Sequence, residues 1–278
     1  MTSRTIGPVL MNGVRTEPAE AAVSVFDIGF QRGYGCFEAM RSYADGVFRL
    51  DGHLDRLERS AAHLRIELRD REALRSWCVE AAEGGVGVLR VYVTGGMDAA
   101  RPGRDNIIVV YLEPAPAAPT SVRLDLLDAP WHADGKVSEL TGAKTLSYGP
   151  NLAATIEAQS KGFDDAALLG SGGIVLEGPT FSLGWVKDGV VFTPSLESHI
   201  LASITREATL EVAERLGLHV SVGHFHRSEL TEADEVFVMS TVREIMPVTA
   251  VGDIDLEPGP VTGMLRAGFR ELVTEELA

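Results

Sequence analysis

Apolar residues recur along this chain at two spacings, and the changes between them outline its elements. Val9-Leu10-Met11 ahead of Asn12-Gly13 reads as a short strand and turn. Ala39 to Tyr43 and Val47 to Leu50 flank Ala44-Asp45-Gly46, which predicts a hairpin. Asp51 is a good N-cap residue, and Leu54, Leu57, Ala61 and Leu64 after it keep helical spacing. A second helix is predicted from Glu72 to Ala82, then apolar strands from Val86 to Thr94 and from Asn106 to Leu112. Glu113 to Pro119 breaks the pattern with three prolines in six residues, which no helix interior or central strand accommodates. Beyond it the pattern predicts a strand from Val122 to Leu127 and a helix from Asn151 to Lys161. Hairpins follow over Ala166–Leu176, about Gly170-Ser171-Gly172-Gly173, and over Leu183–Thr193, about Lys187-Asp188-Gly189. A helix from Thr205 to Leu216 is stopped by Gly217, Glu235 to Met239 reads as a strand, and a last helix covers Val261 to Glu275. Strands and helices mix without strict alternation, so the expected class is α+β. The proline stretch divides the chain into a small N-terminal domain over 1–113, a linker over 114–121 and a larger domain over 122–278.

At 278 residues and 45% hydrophobic, the chain can bury a substantial core. A net charge of −15 argues against nucleic acid or an anionic membrane surface as partner. Cys36 and Cys78 form no disulfide framework and suit a reducing cytoplasm. No apolar run approaches the roughly 18 residues of a membrane span, and the first residues carry no apolar signal region. The expectation is a cytoplasmic globular protein.

Lysine is scarce: the chain has four, against 21 arginines. Lys136 follows Asp134-Gly135, Lys161 precedes Gly162 and Lys187 opens a turn, all places for a solvated side chain. Lys144 lies in the small-residue stretch Gly142-Ala-Lys-Thr-Leu-Ser-Tyr148-Gly-Pro150, ahead of a helix. A lysine held close to backbone and partly desolvated can serve as a nucleophile or Schiff-base former; the alternative is a surface lysine in a loop. Glu177 ends an apolar strand, where a carboxylate calls for a cationic partner such as a pyridinium nitrogen, unless the turn exposes it. Ile204, Thr205 and Arg206 open a helix whose N–H groups can hold an anion or merely be capped. Ser240 and Thr241 end a strand with two hydroxyls, for the same anion or for a turn. Arg56 is either a phosphate ligand or half of a surface ion pair. No Cys or His cluster has metal spacing, and His224 and His226, alternating as on one strand face, read as structural. Gly29, Gly33 and Gly35 precede a hairpin, not the helix of a dinucleotide-binding unit.

Taken in order, these pieces resemble the class IV, fold type IV, pyridoxal-phosphate aminotransferases. The resemblance rests on Phe26-Asp27 with Gly29-Phe30 and Phe37-Glu38, on His53-Leu-Asp-Arg56-Leu with Ser60-Ala61, and on Lys144 with Asn151 and Glu157-Ala158. It continues through Glu177-Gly178, Thr193-Pro194, Ile200-Leu201 with Ile204-Thr205-Arg206, Ala233-Asp-Glu235-Val-Phe237, and Thr241 with Glu244-Ile245 and Pro247-Val248. It implies a two-domain fold, a small α/β domain and a larger one with a mixed sheet or barrel core. It implies pyridoxal 5′-phosphate as cofactor, with Lys144 forming the Schiff base and moving the substrate proton. Glu177 would pair with the pyridine nitrogen, Leu201 lie against the ring and Tyr148 reach the cofactor hydroxyl. Arg56, Ile204, Thr205, Ser240 and Thr241 would hold the phosphate. It also implies a homodimer in which partner loops close the site.

The departures point to a subgroup. Ser182 and Ser203 stand where the family usually has Asn and Gly. Gly95-Gly96-Met97-Asp98 lacks the Arg and His of well-studied bacterial D-amino-acid enzymes. Arg32, Arg90 and Arg243 offer a charged pocket suited to substrate carboxylates. The expected substrates are therefore a D-amino acid and 2-oxoglutarate. A branched-chain L-amino-acid aminotransferase is the alternative. Aminodeoxychorismate lyase fits less well, because Glu38 replaces its Thr.

Overall fold

The computed structural model describes residues 5–68, 70–83, 85–117, 119–132 and 139–278. Lys136, expected to be solvated, lies outside them. Contacts divide the chain into two compact units. The first is Met1–Ala117 with Ala143–Tyr148 and Glu276–Ala278; the second is Ala118–Gly142 with Gly149–Glu275. The lysine segment thus groups with the first unit, although the chain on both sides of it belongs to the second.

The first unit is built on β1 (Ile6–Met11), β2 (Val14–Thr16), β3 (Gly35–Tyr43), β4 (Gly46–Val47), β5 (Gly87–Thr94) and β6 (Ile108–Glu113), in the order β2-β1-β6-β5-β3-β4. Every pairing is antiparallel. Alternation along β3, β5 and β6 puts Cys36, Met40, Leu89, Val91, Val93, Val110 and Leu112 on one face. There they pack against Leu54, Leu57, Ala61 and Leu64 of α2 (Leu50–His63) and Leu74, Cys78 and Ala81 of α3 (Arg71–Ala82). The predicted face of the first helix is therefore its buried one. Asp51 is not its N-cap: Arg49, at φ 50°, occupies that position and bonds Glu276 at 2.7 Å. Asp51 sits in the first turn, where the helix dipole favours an anion, within 3.4 Å of both Arg71 and Arg75. The glycine-punctuated stretch holds a short helix that its pattern does not predict. It is α1 (Ile28–Arg32), which Asp27 caps by accepting the Gly29 N–H at 2.6 Å and Gly33 ends at φ 64°.

The second unit carries a mixed sheet. Its strands are β7 (Val122–Asp128), β8 (Asp165–Leu169), β9 (Ser182–Lys187), β10 (Val190–Pro194), β11 (Val220–Gly223), β12 (Glu235–Ser240), β13 (Glu244–Val251) and β14 (Ile254–Asp255). The order is β11-β10-β9-β12-β13-β7-β8, with β14 on β13. Pairs β10/β11, β13/β7 and β7/β8 are parallel and the rest antiparallel. The helices are α4 (Gly149–Ser160), α5 (Ile204–Arg215), α6 (Arg227–Thr231) and α7 (Pro260–Leu277). The predicted hairpin over 166–176 is irregular. β8 runs parallel to β7, and the returning chain is held by Leu176 N–H to Leu168 O at 3.0 Å and Leu168 N–H to Glu177 O at 2.8 Å. His224 and His226 share no strand, because β11 ends at Gly223. His224 Nδ1 lies 3.0 Å from Ser198 Oγ, and His226 caps α6. No described helix is long and apolar enough to cross a membrane.

Candidate active site

Lys144 lies on a segment that continues the first sheet. Phe37 N–H donates to Lys144 O at 3.0 Å, Leu146 N–H to Gly35 O at 2.8 Å, and Lys144 N–H to Ser60 Oγ at 3.0 Å. The backbone of this lysine is thereby fixed on both sides, in a segment outside any helix or strand. Its Nζ sits 4.3 Å from the centre of the Phe37 ring and 5.2 Å from that of Tyr148, and donates to Tyr148 Oη at 3.2 Å. The amine thus lies against two aromatic rings while the residue stays half exposed.

Arg56 is not half of a surface pair. It is buried on α2 with Nε 2.7 Å and Nη2 2.8 Å from the two oxygens of Glu38, a residue wholly removed from solvent. His53 Nδ1 lies 2.9 Å from the same carboxylate. Burial alone pushes Glu38 upward, but the Arg56 charge and the hydrogen bonds outweigh it and hold the carboxyl well below the usual range. Burial lowers His53 below the ordinary imidazole value, outweighing the Glu38 carboxylate that raises it.

In the second unit the Glu177 carboxylate accepts Leu201 N–H, both oxygens lying at 3.2 Å. His132, not singled out from the sequence, stands 3.9 Å from it through Nε2. α5 begins beside Leu201. Ser203 Oγ accepts the Arg206 N–H at 3.2 Å, so Ile204 and Thr205 keep N–H groups with no acceptor inside the helix. Arg206 is buried, with Nε on Thr193 Oγ1 at 3.1 Å and Nη2 on Pro194 O at 2.9 Å, and pins the helix end. Ser240 ends β12 and accepts the Arg243 N–H at 3.1 Å; Thr241 follows, half-buried.

The three arginines proposed for substrate differ in their commitments. Arg90 Nε bonds Glu113 at 2.7 Å. Arg243 Nη2 bonds buried Asp165 at 2.7 Å and stacks 4.7 Å from the Phe181 ring. Arg32, in the last turn of α1, is exposed, and no carboxylate pairs with it among the described residues.

Residues 35–251 match the family model for class IV amino-transferases. The chain belongs to the class IV aminotransferases. It is 32% identical to a D-alanine aminotransferase of Listeria monocytogenes over 96% of both chains. It is also 30% identical to a branched-chain-amino-acid aminotransferase of Salmonella typhimurium over 99% of this chain and 96% of that one. Among solved structures, the T.th. branched-chain amino acid aminotransferase complexed with N-(5′-phosphopyridoxyl)-L-glutamate superposes with a TM-score of 0.88 at 30% identity. That match covers 98% of this chain and 96% of the other. The aminotransferase is a fold type IV, two-sheet α+β enzyme that depends on pyridoxal 5′-phosphate, and its substrates are an amino acid and a 2-oxo acid. Taken separately, each unit carries groups whose chemistry suits that cofactor: an amine suited to its aldehyde in the first, and in the second a half-buried carboxylate suited to its ring nitrogen and helix N–H groups suited to its phosphate.

Proposed function

We propose that this aminotransferase moves an amino group between a D-amino acid and 2-oxoglutarate, as a cytoplasmic homodimer. The observation that carries the reading is Arg32. Of the three candidate arginines it alone has no carboxylate partner among the described residues, so it is available to a substrate carboxylate.

Bound pyridoxal phosphate supplies an electron sink for the charge left when the substrate Cα–H bond breaks. The chain supplies the rest. Lys144 Nζ would hold the cofactor through its aldehyde and would take and return the substrate Cα proton, with Tyr148 Oη 3.2 Å away to orient it. Glu177, steadied by the Leu201 amide, would balance a protonated ring nitrogen. Ile204, Thr205, Ser240, Thr241 and Arg56 would hold the phosphate, Arg56 with its fork aligned by Glu38. Leu201 would pack against the ring.

A second reading, transfer from branched-chain L-amino acids, is favoured by the Salmonella relative, which aligns over 99% of this chain. The test is the visible absorbance of the holoenzyme during separate additions of D-alanine, D-glutamate, L-leucine and L-glutamate. Loss of the band with D-amino acids alone supports the proposal. Loss with L-leucine but neither D-amino acid replaces it with the second reading.

A further inference from the structure

The face of the first sheet turned away from α2 and α3 is aromatic where the opposite face is aliphatic. Strand alternation brings Phe37, Tyr92 and Tyr111 to it from β3, β5 and β6, all half-buried. Register places Phe37 opposite Tyr92, and the rings run on as a ladder. Phe37 and Tyr92 have centroids 5.8 Å apart with planes 13° from parallel; Tyr92 and Tyr111 are 6.1 Å apart at 17°. Tyr111 is hydrogen-bonded to Tyr92. The ladder starts at the reacting amine, since Phe37 carries Lys144 Nζ 4.3 Å from its centre and the Tyr148 ring edge-on at 5.1 Å. Arg90 shares this face, next to Tyr111 in the register, and there Glu113 neutralises it at 2.7 Å.

We propose that this ladder receives the side chain of the amino donor, that Tyr92 determines specificity, and that the preferred donors carry an aromatic side chain. This rests on the aminotransferase reading with Lys144 as the reacting amine. A substrate whose amino group is at Lys144 meets Phe37 first, and a flat side chain extending from Cα continues onto the next ring in the stacking these rings already use. A side-chain carboxylate, as in 2-oxoglutarate, finds Arg90 already neutralised by Glu113, so the ladder itself does not attract it and Arg32 is left to pair it. An aliphatic side chain fills the space but gains no ring–ring attraction, a difference of about 2- to 13-fold per pair.

The experiment compares kcat/KM for phenylalanine, alanine and glutamate, each as D and L enantiomer, with one 2-oxo acid acceptor, in the wild-type holoenzyme and in Tyr92→Leu and Tyr92→Phe. In the productive enantiomeric series the wild type should prefer phenylalanine to both others. The ratio of phenylalanine to alanine should fall roughly tenfold in Tyr92→Leu, the loss of one ring pair, and stay within about twofold in Tyr92→Phe, which keeps the ring. A structural defect lowers both substrates together and leaves the ratio in place. An unchanged ratio in Tyr92→Leu, or a wild type that prefers glutamate or alanine, overturns the inference while leaving the aminotransferase reading intact. If Tyr92→Leu does not fold, the wild-type preference and its retention in Tyr92→Phe decide. Turnover with no donor of either hand overturns the inference and the reading together.

Discussion

Glu38 occupies a position that strand alternation reserves for the core: Cys36, Met40 and Glu38 share the face of β3 that packs under α2. A carboxylate there survives because Arg56 and His53, three residues apart on the facing helix, reach it at 2.7–2.9 Å. Removing one partner of a buried ion pair leaves the other charge unpaired, which typically costs about 3–5 kcal/mol. Glu38→Ala should lose that much in urea unfolding; a loss below about 1 kcal/mol would mean the pair is replaceable by water. This cluster was legible in the sequence only as motif residues. A charge on the buried phase of an alternating strand is a signal that a partner faces it, and that signal was there to be read. Lys144 was legible through its small-residue setting, but its partners Ser60 and Phe37 are 84 and 107 positions away, the first along α2 and the second on β3, and no local pattern reports such a distance. The two thiols give a second prediction at this scale. Burial pushes Cys36 and Cys78 up to about 12, so neither forms thiolate at pH 8. A thiol reagent should label the native protein at neither and the unfolded chain at both; rapid native labelling would show that the core of the first unit opens.

An element whose ends carry a chemical stop is legible in the sequence to within a residue. α5 lies within one residue of its prediction because Ser203 caps one end and Gly217, at φ 68°, follows the other. β13 went unread because Pro247 argues against a central strand; yet it runs between β12 and β7, with Pro247 opposite Phe237. At the scale of α2, His53 makes stability depend on pH. Burial lowers it from 6.5, so below that pH the unfolded chain binds a proton the folded chain does not, and stability falls as pH falls. Glu38, also depressed, adds its own loss only at more acidic pH, below the usual carboxylate value of 4.5. The unfolding free energy should therefore decline as pH falls below 6.5, by up to about 1.4 kcal/mol per pH unit. In His53→Gln, measured by urea titration at each pH, this slope should shrink by that amount; an equal slope in both proteins would assign it to other groups.

At the scale of the whole molecule, each unit has a core of its own, under α2 and α3 in the first and around Trp185, Phe181 and Val238 in the second. The groups proposed for the cofactor divide by role: Lys144 for the covalent link, and Arg56, Ile204, Thr205, Ser240 and Thr241 for the phosphate. A ligand that binds only the folded chain stabilises it by mass action, about 2.7 kcal/mol at a hundredfold excess over Kd. At about 2–4 °C per kcal/mol for a chain of this size, removing pyridoxal phosphate should lower Tm by about 5–10 °C. The division of roles gives this shift a structure of its own. Lys144→Ala should abolish turnover and the covalent link while retaining part of the thermal shift, because the phosphate-holding groups are untouched. Pyridoxal without its phosphate should do the reverse, reacting with Lys144 in the wild type but raising Tm less than the phosphorylated form at equal concentration. The deciding measurement is melting of both proteins with each compound. If pyridoxal and its phosphate stabilise the wild type equally, then Arg56, Ile204, Thr205, Ser240 and Thr241 do not hold a phosphate, and that half of the assignment falls while Lys144 stands.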